Sequence, residues 1–243
     1  MLETHNLKGG DAARHAAASL ERLLAHLRKQ ALPLAELDEL IITHQGLSAA
    51  DQERIQSAAG RPIQWCLLPA AAGYYQGKNA GFDASAAEVV VFGDSDCWPD
   101  DGWLENLVSP FMEGAAAAAA VAGRTCYRPG VLGSAASSID FNYYPSPLGP
   151  GCTRNFYANN VAFRREVFAE HRYGSGEHFY RGNCQTLGLR LGAAGIPVRF
   201  EPRARTTHRF PDSWAELVRL RLLRGGDLAE LSPRLLSAHL PGT

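Results

Sequence analysis

The chain has almost no net charge, no closely spaced cysteine pair and no long apolar run, and each absence removes a class of function. With 24 Lys+Arg against 25 Asp+Glu, a formal net charge of -1, no global field draws it to nucleic acid or to an anionic bilayer. No nucleic-acid partner is expected. The five cysteines, Cys66, Cys97, Cys126, Cys152 and Cys184, are odd in number, widely spread and without a C-x-x-C pair. Zinc and dithiol chemistry are therefore not indicated, and reduced thiols in a cytoplasmic protein are the simpler reading. No run approaches the roughly 18 apolar residues of a spanning helix, since residues 115 to 122 fall far short. No charged segment leading into an apolar one opens the chain, so neither leader nor membrane span is expected. The 243 residues, 46% hydrophobic and 20% charged, suffice for a sizeable core and favour one α/β domain.

Hydrophobic spacing supplies the elements. Ala16, Leu20, Leu23, Leu24 and Leu27 recur at helical spacing, with Asp11 as N-cap and Pro33 beyond the end, predicting a helix over 12–30. Residues 39–44 read as a strand and 48–59 as a helix stopped by Gly60. Residues 62–68 and 88–92 read as further strands, with helical material at 77–87 between them. Continuous apolar strands alternating with helices suit a mainly parallel sheet covered on both faces. A helix from Trp103 to about Glu113 follows, then an alanine run that reads either as helix by propensity or as a small-residue strand. Residues 128–155 are dense in Pro, Gly and Ser and predict a long irregular loop. Asn183 to Ala194 reads as a helix stopped by Gly195, with Asn183 suited to the N-cap. Residues 196–200 read as a strand. From Ser213 a basic amphipathic helix is predicted, with Trp214, Leu217, Leu220 and Leu223 on a core-packed side and solvated arginines around it.

The strongest chemical signal is the strand 89–92 running into Gly93, Asp94, Ser95 and Asp96. Carboxylates one residue apart, delivered to the carboxyl edge of a sheet, lie where open α/β folds bind ligands. Such oxygen ligands suit Mg2+ or Mn2+ together with substrate phosphates. The other reading of a D-x-D pair is that both acids cap the next turn.

Several segments in order extend this signal. They are Lys78-Asn79-Ala80-Gly81, the strand with Asp94-Ser95-Asp96, Pro99, Trp103-Leu104, Asn159-Asn160-Val161-Ala162-Phe163-Arg164, Leu187 with Arg190-Leu191 ahead of Gly195, and a late His208. Together they resemble the inverting family 2 glycosyltransferases over roughly residues 3–226. The resemblance implies a GT-A-type nucleotide-diphospho-sugar transferase fold, an α/β/α sandwich, in one domain. Residues 1–125 would form the nucleotide-sugar half, 126–210 the acceptor half and 211–243 a helical tail. It implies metal-dependent transfer, with inversion, from a nucleotide-sugar donor to a glycan or lipid-linked acceptor. Asp94 and Ser95 would face the ribose, Asp96 and His208 would ligate Mn2+ or Mg2+, and Lys78, at a helix start, would face phosphate. Glu3, Thr4 and Asn6 would line the base and ribose. Trp98, Asn159 and Asn160 would lie on the acceptor side, Trp98 stacking on a sugar or packed in the core. A surface position among arginines is the other reading of His208.

The sequence departs from the family pattern in three places. The first strand is short or missing. The second strand ends in Thr43-His44-Gln45 where an acid is usual. The Glu-Asp pair that normally supplies the general base reads Asn183-Cys184, and neither an amide nor a thiol suits deprotonation of a sugar hydroxyl. Two expectations follow: Glu177 takes over as base, or the domain binds nucleotide sugar, or a partner, with little transfer. The basic tail also resembles a segment that lies along the bilayer in membrane-attached relatives, so a cytoplasmic protein with peripheral membrane contact is one expectation.

Overall fold

The computed structural model describes residues 2–3, 12–114, 117–174 and 179–239. The first helix, α1 (Ala12–Leu27), buries Leu20, Leu23, Leu24 and Leu27 completely or nearly so, about 1.5–3 kcal/mol of transfer free energy for each such side chain. The two residues of β1 (Leu2–Glu3) lie inside the sheet, paired parallel with β2 (Ile41–His44) and with β4 (Val89–Asp94). Helix α2 (Ala49–Ala59) begins where the Ser48 side chain accepts from the Asp51 amide and ends at Gly60, whose φ of 68° is left-handed. Next come β3 (Gln64–Leu67), α3 (Tyr74–Asp83), β5 (Cys97–Pro99), which follows β4, and α4 (Trp103–Val108). The second half contributes β6 (Ala120–Cys126), α5 (Val131–Asp140), β7 (Cys152–Thr153), β8 (Asn160–Arg164), α6 (Arg165–Glu170), α7 (Asn183–Ala193), β9 (Val198–His208) and α8 (Trp214–His239).

One sheet runs β3-β2-β1-β4-β8-β6-β9-β5, with β7 also on β9. The strands β3, β2, β1 and β4 are parallel. Beyond β4 the sheet becomes mixed, because β8 runs antiparallel to both β4 and β6, and β5 antiparallel to β9. Helices α1, α2 and α4 pack on one face and α3, α6 and α7 on the other, so the expected sandwich forms around a sheet that is parallel only in its first half and at β6–β9.

Two predicted regions differ. The stretch 128–155 is not one loop, since α5 and β7 lie within it. The alanine run ends as strand, the first four residues of β6 being buried beneath both layers, where small side chains allow close packing. Gly123 in β6 lies against Ala204 O and Asn160 Oδ1, each 2.3 Å from where a Cβ would stand. Only glycine fits there.

Helix α8 is not core-packed along its predicted side, and two of its arginines are paired and not free. Trp214 and Leu223 are 74% and 36% exposed. Arg221 and Arg224 both pair with Asp140 of α5, whose carboxylate also accepts from the Tyr127 hydroxyl at 2.8 Å. Further along, Asp227 accepts from the backbone amides of Tyr180 at 2.7 Å and Arg181 at 2.5 Å. Among the described residues no helix is long and apolar enough to cross a membrane.

Candidate functional site

Strand β4 ends on Asp94, which is 2% exposed, and a carboxylate can stay charged there only with partners. They are present. The Tyr74 hydroxyl donates to Oδ2 at 2.8 Å, and the Lys78 ammonium donates to Oδ1 and, at 2.7 Å, to the Gly93 carbonyl. Burial alone would raise this carboxyl, but the charge and hydrogen bond of Lys78, the charge of Arg181 and the Tyr74 hydroxyl together hold it below the ordinary aspartate range. Lys78 thus does not face phosphate from a helix start. The helix begins at Tyr74, and Lys78, one turn further in, is fully buried against Asp94.

Asp96 belongs to a second cluster. The antiparallel pairing of β5 with β9 sets Cys97 opposite His208 and brings the Asp96 carboxylate within 3.8 Å of His208 Nε2. The Cys97 sulfur completes a set of three potential ligand atoms within 4.8 Å of one another. His208 Nδ1 lies 2.8 Å from the Arg209 carbonyl. In the tautomer that donates this hydrogen bond, Nε2 turns its lone pair toward Asp96, the arrangement a metal-ligating histidine requires. Tyr127 and Phe141 hold the ring from its sides, at centroid distances of 5.9 and 5.7 Å. Beside the pair, Ser95 Oγ is buried without a hydrogen-bond partner among the described residues. A carboxylate, an imidazole and an orphaned hydroxyl fit a hard divalent cation with its phosphate ligand better than an apolar role.

The third group lies at the start of α7. Gly182 is its N-cap, so Asn183 sits inside the first turn and not at the cap, and Asn183 Oδ1 is buried without a partner among the described residues. Cys184 is 4% exposed, its sulfur 3.4 Å from the Tyr75 hydroxyl, and burial pushes the thiol up to about 11. Neither group can take a proton from a sugar hydroxyl near neutral pH. The Arg181 guanidinium stands 4.2 Å from the Tyr74 ring centroid, beside Asp94.

Other expected residues are placed elsewhere. Asn160 is fully buried, accepting from Trp103 Nε1 at 2.7 Å and donating to the Ala204 carbonyl at 2.9 Å, so it braces strands and offers nothing to an acceptor. Asn159 is 6% exposed and accepts from the Thr125 hydroxyl at 3.0 Å. Trp98 faces Arg22 and His26 of α1, on the opposite side of the sheet from Cys184. His44 is buried and its Nδ1 accepts from the Leu47 amide at 3.2 Å, while burial lowers its pKa. Glu3 is described by its backbone, paired with Thr43 and Asp94. Thr4, Asn6 and Glu177 lie outside the described residues. Tyr74 and Arg181 were not anticipated, because only tertiary contact with Asp94 marks them.

The model of the family described as Glycosyl transferase family 2 matches residues 12–172. The Pre-mycofactocin glycosyltransferase of Mycobacterium tuberculosis is 26% identical over 228 residues, covering 91% of this chain and 46% of that protein. Polypeptide N-acetylgalactosaminyltransferase 8 of Drosophila melanogaster is 27% identical over 223 residues, covering 81% and 36%. The chain thus spans about half or less of the length of these curated relatives. Among solved structures, the mannosyltransferase PcManGT from Pyrobaculum calidifontis, in complex with GDP-Man and Mn2+, superposes with a TM-score of 0.67 at 16% identity, over 96% of this chain and 63% of that one. That likeness is one of fold, and the fold is GT-A.

Proposed function

Because the chain belongs to glycosyl transferase family 2, we propose that it moves a sugar from a nucleoside-diphosphate donor to an acceptor hydroxyl, with inversion, using Mn2+ or Mg2+ held by Asp96 and His208. The observation that carries this reading is the pairing of these two side chains across β5 and β9 at 3.8 Å, next to an aspartate kept charged by a buried lysine. When bound, the cation supplies charge neutralisation for the departing diphosphate. Cys97 is the weaker ligand, since hard cations prefer oxygen and imidazole donors to sulfur.

The other residues have defined tasks in this reading. Asp94, ionised and immobile, accepts from the ribose. Lys78 and Tyr74 hold it at the strand end and do not leave it for the ligand. Arg181 lies close enough to Asp94 to lower its pKa, and a guanidinium there meets the diphosphate. The donor is a nucleotide sugar and the acceptor a glycan or lipid-linked hydroxyl.

Glu177, six positions before Asn183 in sequence, supplies the base. A second reading, a binding module with little transfer, is favoured by the neutral Asn183-Cys184 pair. Two measurements separate these. Calorimetry with UDP and GDP is expected to give nucleotide uptake only with Mn2+ or Mg2+, and no uptake with either would remove both readings. A product assay on Glu177→Gln is expected to lose about 10²–10⁴-fold in turnover. Unchanged turnover would remove Glu177 as base, and absence of product from the parent protein with every donor would leave the binding module.

A further inference from the structure

We infer that the open cavity of about 430 Å³ between α1 and the β5–β9 ladder is a second ligand site, taking a small anionic sugar, a monosaccharide that bears a phosphate or a carboxylate. The inference stands apart from the donor site. In the ladder Cys97 faces His208 and Trp98 faces Thr207, and successive side chains on a strand point to opposite faces. Cys97 and His208 therefore lie on one face and Trp98 with Thr207 on the other, while Asp96, just before the strand, brings its carboxylate within 3.8 Å of His208.

The charge of the cavity identifies its occupant. The guanidinium carbons of Arg22 and Arg128 lie 5.5 and 5.7 Å from the centroid of the Trp98 ring, which orients them by cation–π attraction. Neither guanidinium pairs with a carboxylate among the described residues. Two guanidinium groups beside one ring, without a carboxylate partner, favour a planar oxyanion that accepts their fork-shaped hydrogen bonds. Of the two acids that line the cavity, Asp100 is 3.8 Å from Arg205, which answers part of its charge and leaves Asp101 as the main acid opposing the arginines.

The remaining lining suits hydroxyls. His26, Asp101 and Thr207 offer donors and acceptors around an indole floor whose own Nε1 is buried without a partner. The volume lies near the lower end of the range for small-molecule sites, which fits a monosaccharide. Asp101 disfavours a polyanion such as a nucleoside diphosphate.

The test is calorimetry with glucose 6-phosphate and with glucuronate, in EDTA to exclude cations. One-site binding of at least one of these probes is expected for the parent protein and, unchanged, for Asp96→Asn. The double variant Arg22→Ala with Arg128→Ala changes two exposed side chains, and its melting temperature is expected to stay within about 2 °C. It should bind at least about tenfold more weakly, whereas Arg219→Ala, an exposed arginine of α8, should bind like the parent. Four results would each overturn the inference: no binding of either probe at millimolar concentration, equal binding of uncharged glucose, undiminished binding by the double variant, or loss of binding in Asp96→Asn, which would assign the anion to the other face.

Discussion

Where β4 ends, Asp94 and Lys78 answer each other within hydrogen-bond distance, with Tyr74 on the same carboxylate. Where α7 begins, the first turn carries no acid, and it opens on Asn183, whose amide oxygen has no partner among the described residues, and Cys184, a thiol that stays protonated. The strand side is charged, buried and rigid before any ligand arrives, which is the condition for electrostatic preorganisation. The helix side is neutral. Under the proposed function, the difference separates donor recognition, built into the sheet edge, from acceptor deprotonation, left to a residue outside α7.

Substitutions can break this contrast, beginning with the strand side. Asp96→Ala is expected to lower transfer by about 10²–10³-fold and to abolish cation-dependent nucleotide uptake in calorimetry, with little change in melting temperature. Retained uptake would move the cation away from Asp96. Lys78→Met strands a buried carboxylate and is expected to cost about 3–5 kcal/mol of stability, visible as a fall of several degrees in thermal denaturation. Because the folded Asp94 carboxyl is held below its ordinary range, its stabilisation is full above the unfolded aspartate pKa and is lost as pH falls through the lowered folded value. The gap between parent and Lys78→Met should therefore be widest near neutrality and narrow in acid.

Smaller effects sharpen the helix side. Asp227→Asn weakens the hold on the Tyr180 and Arg181 amides and should cost about 1–2 kcal/mol. It should raise the donor KM more than it lowers kcat, since it displaces Arg181 and removes no reacting group. Equal loss in both parameters would contradict that positioning. Least of all, Cys184→Ser should change turnover by less than about twofold and leave the rate profile between about pH 6 and 9 unaltered, because the thiol is uncharged throughout. A marked loss would give Cys184 a part in the chemistry.

The legible parts of the fold are those whose signals are local. Ser48 and Gly60 bracket α2, and Gly195, with φ 70°, stops α7 as its position predicts. The strand feeding Asp94 was legible from its apolar run alone. Helix α5 was not, because it buries only Ala136 and its cap, Gly130, forms no side-chain bond. What steadies it is Asp140, gripped by two arginines some eighty residues later, and no local pattern carries such information. The D-x-D pair and His208 were readable as candidates, but the 3.8 Å approach of Asp96 to His208 depends on the β5–β9 register. Lys78 was misassigned for a related reason, since a lysine near a helix start reads as a solvent-facing phosphate ligand until the acid beneath it is known. The positions of Asn160 and Trp98 follow from which face each strand presents, a choice that the mixed sheet order makes and local spacing does not.

Asp140 has a carboxylate only 2% exposed, and Asp227 covers two main-chain amides. Cutting the polypeptide after β9 would leave that anion without its counter-ions and those amides uncapped, even though every strand and both candidate cation ligands would still be present. The smallest autonomous folding unit therefore includes the last helix, which works as the buckle of the domain and not as an appendage to it.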